Sequence, residues 1–342
     1  MRTGTVDHLR RMTGLEAEPR FSVVVPVYNE EESLLELGRR LSAVLDELVG
    51  ASEVVLVDDG STDATPVLLA ELERRDDRFR VVRLSRNFGH QVAITAGLDA
   101  ARGAAIVVMD GDLQHPPEVI HRLVERWQEG YDVVYALAEE HEQATWFKRR
   151  SAALFYRLIS RVAKVDMPLG AGDFRLIDRR VRDAFTSMRE RHRYVRGMFA
   201  WIGFRQTGVH YRSQARFGGR SKYTLSAMTR LAGDALFSFS QEPLMLVLKA
   251  GLAVSVLSFL FGLATLASKL AGAYNVPGYV TIVVALAFLG GIQLAVLGFM
   301  GQYTARIFEE VKRRPLYIVD DGGRVASGEA ESSVPELVGR RA

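Results

Sequence analysis

Apolar and polar residues follow two different periods along the first half of the chain. A β-branched run of strand length, FSVVVPV at Phe21–Val27, precedes the stretch NEEESLLELGRRLSAVLDEL, in which apolar residues recur at helical spacing. The same succession recurs at EVVLVDDGSTD, VVRLSRN and AIVVMD. Strands that alternate with helices predict an α/β domain with a mainly parallel sheet, whose ligand site lies at the carboxyl ends of the strands.

The second half of the chain is more apolar, and no charged residue occurs between Lys269 and Arg306. Two stretches, roughly 244–267 and 280–303, have the length of membrane-spanning helices. Basic residues flank the pair on one side, which by the positive-inside rule is the cytoplasmic side. The pattern therefore predicts a multi-pass protein of the cytoplasmic (inner) membrane whose catalytic domain faces the cytoplasm. A buried helical hairpin is the alternative.

These patterns predict five regions along the chain. They are a flexible N-terminus at 1–20, a catalytic α/β domain at 21–225, an interfacial amphipathic helix at 226–243, two transmembrane helices at 244–305, and a cytoplasmic basic segment with a disordered tail at 306–342. An ordinary surface helix explains 226–243 almost as well. The N-terminus carries charges throughout, which is atypical of a secretory signal.

Composition limits the kinds of site that the chain can form. Its 342 residues are 48% hydrophobic, which is enough for a substantial core and excludes disorder for most of the chain. Cysteine is absent, so any metal must be bound by oxygen or imidazole. The net charge of +3 hides a strongly basic segment at 146–230, which must either face an anionic partner such as lipid, pyrophosphate or nucleic acid or be neutralised by neighbouring residues.

The segment DGDLQHPP directly follows the predicted strand AIVVM. Asp110 and Asp112 are two residues apart in a turn, where their carboxylates can hold Mg²⁺ or Mn²⁺ and, through it, a diphosphate. Gln114 adds a neutral oxygen ligand. A solvated turn is the alternative for the carboxylate pair, and His115 is equally well explained as structural.

Polar residues also follow the first two strands. A carboxylate at a strand end can accept hydrogen bonds from a base or a ribose, and Tyr28 can lie against a base. Glu30, Asp58 and Asp59 are the carboxylates at these strand ends. Asp58, Ser61 and Asp63 could instead be turn or cap residues, which is the favoured interpretation for Ser61 and Asp63. The phosphate loops of NTPases and dinucleotide enzymes are absent.

Several motifs together resemble the family 2 glycosyltransferases. They are VVVPVYNEEESL, VLVDDGSTD, LSRNFGHQVAITAGLDAARG, MDGDLQHPPE, GDFRLIDR and FGGRSKY, in this order over about residues 20–315. With its two apolar stretches, the chain most resembles the polyprenyl-phosphate branch, which includes dolichyl-phosphate mannose synthase and bacterial polyprenyl-phosphate glucosyltransferases. The resemblance implies a GT-A fold and a metal-dependent, inverting transfer of one sugar from a nucleotide-sugar to polyprenyl phosphate. UDP-glucose is the first expected donor, and GDP-mannose is the alternative.

The resemblance also implies roles for individual residues on the donor side. Nucleotide-sugar binding is expected from Pro26, Tyr28, Glu30, Asp59 and Asp110. Binding of Mg²⁺ or Mn²⁺ is expected from Asp110, Asp112 and Gln114.

Further residues are expected to act in catalysis and on the acceptor. The catalytic set is Asp112, Asp173, Arg216 and Lys222, in which the two basic residues clamp phosphate oxygens. Asp173 is expected to act as a base or to orient the acceptor, and a salt bridge to Arg175 or to another neighbour is its alternative. Lys148 and Arg149 are expected at the acceptor phosphate. The segment YALAEE lacks the Arg that relatives often have there, which weakens the assignment of the acceptor contact.

Three other functions compete with this interpretation. A processive polysaccharide synthase needs more spans and usually carries Q-x-x-R-W, which is absent. A non-enzymatic membrane scaffold and a nucleic-acid-binding protein are the other two. The expected partners are the nucleotide-sugar, polyprenyl phosphate and membrane lipids, without nucleic acid, and we expect a homo-oligomer formed through the apolar stretches.

Overall fold

A computed structural model of the chain describes residues 18–139, 171–212, 242–271 and 278–320. Its strands form a seven-stranded sheet in the order β3-β2-β1-β4-β6-β5-β7. The strands are β1 (Phe21–Val27), β2 (Ser52–Asp58), β3 (Phe79–Arg83), β4 (Ala105–Val108), β5 (Val133–Ala138), β6 (Ala171–Asp178) and β7 (Gln206–Tyr211). All run in one direction except β6, which lies antiparallel between β4 and β5. The predicted α/β domain with a mainly parallel sheet is confirmed.

Helices cover both faces of this sheet. One face packs against α1 (Leu34–Glu47), α2 (Thr65–Arg75) and α4 (Val119–Gln128), and the other against α3 (His90–Ala100), α5 (Arg179–Ser187) and α6 (Val195–Ile202). In β1, Val23 and Val25 join the first apolar cluster and Val24 joins the second, and all three side chains are fully buried. A strand that is buried on both faces accounts for the continuous β-branched run in the sequence.

Gly97 lies where α3 approaches the sheet most closely. A Cβ atom at this position would lie 2.2 Å from Val24 Cγ1 and 3.0 Å from Val57 Cγ2. Because these short, branched side chains cannot swing away, we expect Gly97→Ala to lower the free energy of unfolding by about 1–3 kcal/mol. Urea denaturation measures the change. Gly290→Ala is the control, since the Cβ it would add has no described atom within 4 Å apart from its chain neighbours and the nearby backbone of its own helix. Wild-type stability in Gly97→Ala would contradict the prediction.

Two long helices, α7 (Glu242–Leu270) and α8 (Tyr279–Val311), contain the apolar stretches that predicted membrane spans. Both extend beyond those stretches into charged residues, from Glu242 at the start of α7 to Glu310 near the end of α8. Among the described residues, no helix has both the length and the apolar character that a membrane crossing requires. The predicted transmembrane helices are therefore unsupported, and the predicted multi-pass location in the cytoplasmic membrane is wrong. The predicted interfacial helix at 226–243 lies almost wholly outside the described residues.

The segment after α8 returns to the sheet. Val319 forms an antiparallel bridge with Leu84, which directly follows β3. The N–H of Ser85 donates to the carbonyl of Ile318 at 2.9 Å. The last described residues thus extend the sheet beside β3, at the start of the loop that leads to α3.

Candidate active site

The arrangement of β4 and β6 brings two acidic residues together at one edge of the sheet. In this antiparallel pair, Val108 lies opposite Arg175. Asp110 and Asp173 each lie two residues beyond this pair, and a carboxylate oxygen of one lies within 4.8 Å of a carboxylate oxygen of the other. The start of β6 therefore contributes a carboxylate to the edge at which the parallel strands end, which is the usual ligand edge of such a sheet.

Asp59 follows β2 and binds the loop that precedes α3. Its Oδ1 accepts a hydrogen bond from the N–H of Phe88 at 2.7 Å, and its Oδ2 accepts one from the N–H of Gly89 at 2.9 Å. Burial raises the pKa of Asp59 above its ordinary value, and the two hydrogen bonds and the charge of His90 only partly offset this effect. Asp59 therefore shapes this loop in addition to lying at the predicted nucleoside site.

The other predicted nucleoside residues lie at the end of β1. Pro26 is buried within the strand, whereas Tyr28 and Glu30 are half-buried just beyond it. The N–H of Glu30 donates to Thr65 Oγ1 at 2.9 Å, and the N–H of Asp59 donates to the carbonyl of Val27 at 2.9 Å. The structure thus brings the predicted residues to the same end of neighbouring strands.

The residues between β2 and α2 form turns, as their types predict. Asp58 Oδ1 accepts from the N–H of Ser61 at 2.9 Å, and Asp63 Oδ1 accepts from the N–H of Thr65 at 3.0 Å. Ser61 Oγ in turn accepts from the N–H of Asn29 at 3.0 Å, which links the loops after β1 and β2.

The turn after β4 presents the predicted metal ligands. Asp112 Oδ1 accepts from the N–H of Gln114 at 3.1 Å, and the N–H of Asp110 donates to His115 Nδ1 at 3.0 Å. The ring of His115 also stacks on Phe174, with centroids 5.0 Å apart, so His115 has a structural role. Asp110 Oδ1 is buried and accepts no hydrogen bond from the described part of the chain. His90 Nε2 lies 3.4 Å from this oxygen without forming a hydrogen bond to it, so the oxygen can still accept a ligand.

Asp173 lies at the centre of a cluster of charged groups. Arg196 Nε and Nη2 each lie 2.9 Å from one of its oxygens, forming a bidentate pair. His90 Nε2 lies 3.3 Å from Asp173 Oδ2 and 3.4 Å from Asp110 Oδ1. Arg175 is a more distant neighbour, with Nη2 3.7 Å from Asp173 Oδ1. The predicted salt bridge of Asp173 is therefore formed chiefly with Arg196, which is remote in sequence.

The same cluster contains a potential set of metal ligands. One ligand atom each from His90, Asp110 and Asp173 lies within 4.8 Å of the others. One imidazole and two carboxylates suit a divalent ion such as Mn²⁺. Both oxygens of Asp173, however, are already bound by Arg196, whereas Asp110 is common to this set and to the predicted set with Asp112. Asp110 is therefore the ligand on which both arrangements depend.

The charges in the cluster shift each other's protonation. Partial desolvation lowers the pKa of His90, whose side chain is 42% exposed, but the hydrogen bond to Asp173 and the charges of Asp110 and Asp173 outweigh this effect and raise the pKa to about 9. Burial likewise disfavours the charged form of Asp173, but Arg196 and His90 hold its pKa well below the ordinary value. At neutral pH the carboxylate of Asp173 therefore lies between two cations, the guanidinium of Arg196 and the imidazolium of His90.

We expect the contribution of His90 to stability to depend on pH. Because the pKa of His90 is raised in the folded state, the stabilisation is fully present below the unfolded value near 6.5 and is lost as pH rises through about 9. In a metal-free buffer, the Tm of the wild type should be higher than that of His90→Gln, and this difference should be larger at about pH 6 than at about pH 10. An equal difference in Tm at both pH values would contradict this expectation.

Two residues of the cluster were missed by the sequence interpretation. His90 was quoted only within the motif LSRNFGHQVAITAGLDAARG, and Arg196 was not among the predicted site residues. The sequence signal available for His90 was its position at a helix start after a strand-terminal loop. The predicted residues Lys148, Arg149, Arg216 and Lys222 lie outside the described residues.

Comparison with known proteins shows the family to which the chain belongs. Residues 22–185 match the family described as Glycosyl transferase family 2. The glycosyltransferase YkcC of Bacillus subtilis is 44% identical over 88% of this chain and 93% of its own length. A bactoprenol glucosyl transferase of Shigella flexneri, derived from prophage SfII, is 36% identical over 89% of this chain and 99% of its own. A solved structure of glucosyl-3-phosphoglycerate synthase from Mycobacterium tuberculosis, with Mn²⁺, UDP and phosphoglyceric acid, gives a TM-score of 0.46 at 21% identity and covers 66% of this chain and 80% of that chain. The chain is an enzyme that belongs to glycosyl transferase family 2.

Proposed function

We propose that the enzyme transfers a single sugar, glucose from UDP-glucose, to polyprenyl phosphate with inversion at the anomeric carbon. The observation that carries this proposal is the similarity to the bactoprenol glucosyl transferase of Shigella flexneri over 99% of its length. Similarity over the whole length covers the donor edge of the sheet and the C-terminal helices together. We therefore assign the acceptor class of that relative to this chain.

The donor edge of the sheet fits a nucleotide-sugar. In the proposal, Pro26, Tyr28, Glu30 and Asp59 surround the nucleoside, because they lie at the adjacent ends of β1 and β2. The diphosphate lies further along the edge, beside the turn after β4. This order along the edge matches the order of nucleoside, diphosphate and sugar in the donor.

Asp110, Asp112 and Gln114 would hold a divalent cation beside the diphosphate. They fit this role because two carboxylates follow a buried strand and one buried oxygen of Asp110 accepts no hydrogen bond from the described chain. When bound, Mg²⁺ or Mn²⁺ neutralises negative charge on the diphosphate as it leaves.

The acceptor phosphate is itself the nucleophile. Its oxygen attacks the anomeric carbon in line with the departing nucleoside diphosphate, forming one C–O bond as the other breaks. A phosphate monoester has its second pKa near about 6, so at neutral pH the nucleophile is already mostly ionised. Asp173, whose pKa is held low, is accordingly assigned to orienting the acceptor side of the site rather than to removing a proton. Arg216, Lys222, Lys148 and Arg149 remain proposed phosphate contacts.

Transfer of radiolabelled sugar to undecaprenyl phosphate in detergent tests the proposal. The full chain is assayed with UDP-glucose, other UDP-sugars and GDP-mannose, with Mg²⁺, with Mn²⁺ or with a chelator. We expect metal-dependent label in the lipid product, with UDP-glucose as the best donor. Label from GDP-mannose alone would change the assigned donor to the mannosyl alternative. No label from any donor would reject the proposed reaction and favour a non-enzymatic scaffold.

A further inference from the structure

The candidate active site requires a cation near Asp173. Asp110, Asp112 and Asp173 lie at the same edge of the sheet, and the acceptor in the proposed function is itself a phosphate. Like charges a few Å apart repel strongly in a partly buried site. A phosphate can therefore approach this edge only where a fixed cation offsets the carboxylates.

Arg196 lies at the solvent side of Asp173. The side chain of Asp173 is only 2% exposed, whereas those of Arg196 and His90 are 25% and 42% exposed. Both of these side chains contact the carboxylate oxygens of Asp173. A ligand that enters from solvent therefore meets the guanidinium and the imidazole before it reaches the carboxylate.

The packing of α6 fixes the position of Arg196. Gln91 Oε1, on α3, accepts a hydrogen bond from the N–H of Val195 at 2.9 Å, at the start of α6. Further along, the ring of Phe199 stacks on Phe185 of α5, with centroids 4.6 Å apart. Because its helix is anchored at two points and its side chain is already paired, Arg196 loses little conformational freedom when a second anion binds.

We propose that Arg196 contacts the phosphate group of the acceptor while it remains paired with Asp173. The inference rests on the proposed function, since it names a residue that binds the acceptor of that reaction. A guanidinium can bind a carboxylate and a phosphate together because its N–H groups point outward along different edges of one plane. Asp173 fixes that plane, and Arg196 holds the phosphate beside the donor edge.

Steady-state kinetics of Arg196→Gln test this contact. Because a charge-assisted hydrogen bond is lost, we expect KM for polyprenyl phosphate to rise about tenfold or more. KM for the nucleotide-sugar should change by less than about twofold. Arg196→Lys, which keeps the charge, should recover part of the acceptor affinity. An unchanged acceptor KM in Arg196→Gln would overturn the proposal, because a fall in kcat alone is the result expected if Arg196 only holds Asp173.

Arg189→Gln is the matched control. Arg189 lies on the same segment before α6, is 53% exposed and pairs with Asp99 away from the cluster. Arg189→Gln removes one positive charge, as Arg196→Gln does, but at a position away from the cluster. Both KM values should therefore remain at the wild-type level. An equal rise in acceptor KM in this variant would also overturn the proposal, since the effect would then come from net charge.

Binding of farnesyl phosphate, measured by calorimetry without donor, separates this inference from the proposed reaction. We expect the full wild-type chain to bind it at least about tenfold more tightly than Arg196→Gln does. That result would support the contact even if no sugar were transferred to any prenyl phosphate. Equal binding by both proteins, or none by the wild type, would overturn it. Thermal unfolding confirms that each variant is folded, and Arg196→Lys replaces Arg196→Gln if the latter does not fold.

Discussion

Replacing Asp112 by alanine should reduce sugar transfer by about a thousandfold or more. The expected loss corresponds to about 4 kcal/mol of transition-state stabilisation, the scale on which a catalytic cation acts on a leaving diphosphate. Asp112 is 7% exposed and accepts a hydrogen bond from the N–H of Gln114 within the turn. Its removal therefore takes away a proposed ligand and also loosens the turn that presents Asp110. The measurement is kcat/KM for label transfer at saturating Mg²⁺ or Mn²⁺.

Asp46→Ala provides the matched control for this experiment. Asp46 is 68% exposed and pairs with Arg78 on the surface, away from the sheet edge that carries the site. Its removal should leave kcat/KM within about twofold of the wild type. Transfer by Asp112→Ala at near the wild-type rate would remove Asp112 from the metal set. That result would favour the other arrangement of metal ligands, in which Asp110 acts with His90 and Asp173.

Asp173→Asn should lower the free energy of unfolding by about 3 kcal/mol at neutral pH. Removing one member of a buried ion pair leaves the remaining charge without compensation, which typically costs about 3–5 kcal/mol. The lower end applies because Arg196 is partly exposed and regains some hydration. Asparagine keeps the shape of the side chain, so the loss reports on charge rather than on packing. Urea denaturation followed by circular dichroism measures it.

Asp183→Asn is the control for the stability experiment. Asp183 is 61% exposed and lies beside Arg182, whose side chain is only 16% exposed. Because the carboxylate of Asp183 is itself well hydrated, its replacement should change the free energy of unfolding by only about 0–1 kcal/mol. Equal stability of Asp173→Asn and Asp183→Asn would show that Asp173 is not the charged centre of the cluster.

The sequence predicted the parts of the fold that depend on local pattern. The run FSVVVPV was predicted as a strand from its β-branched residues and its length, and the polar residues after it marked the ligand edge. The position of β6 was not predictable in the same way. Whether a strand inserts antiparallel between two others depends on long-range register, which no local period encodes. That register is what brings Asp173 next to Asp110.

The residues around Asp173 show the same limit at the level of the site. Asp110 and Asp112 were identified because their spacing and their position after a strand carry the chemistry. His90 and Arg196 carry no such spacing, since each acquires its role from a partner that is remote in sequence. Helical periodicity does not show which partner such a residue meets, and the pairing of Arg196 with Asp173 is formed only in the folded chain.

The bridge between Leu84 and Val319 gives the chain a particular order of assembly during synthesis. β3 is an edge strand of the sheet, and the segment that covers the residues after it is made only after both long helices have been translated. Until then, the nascent domain exposes unpaired backbone groups at this edge, which is where strands of neighbouring chains can add. Slow translation of the last helix would lengthen that stage and increase the demand for chaperones.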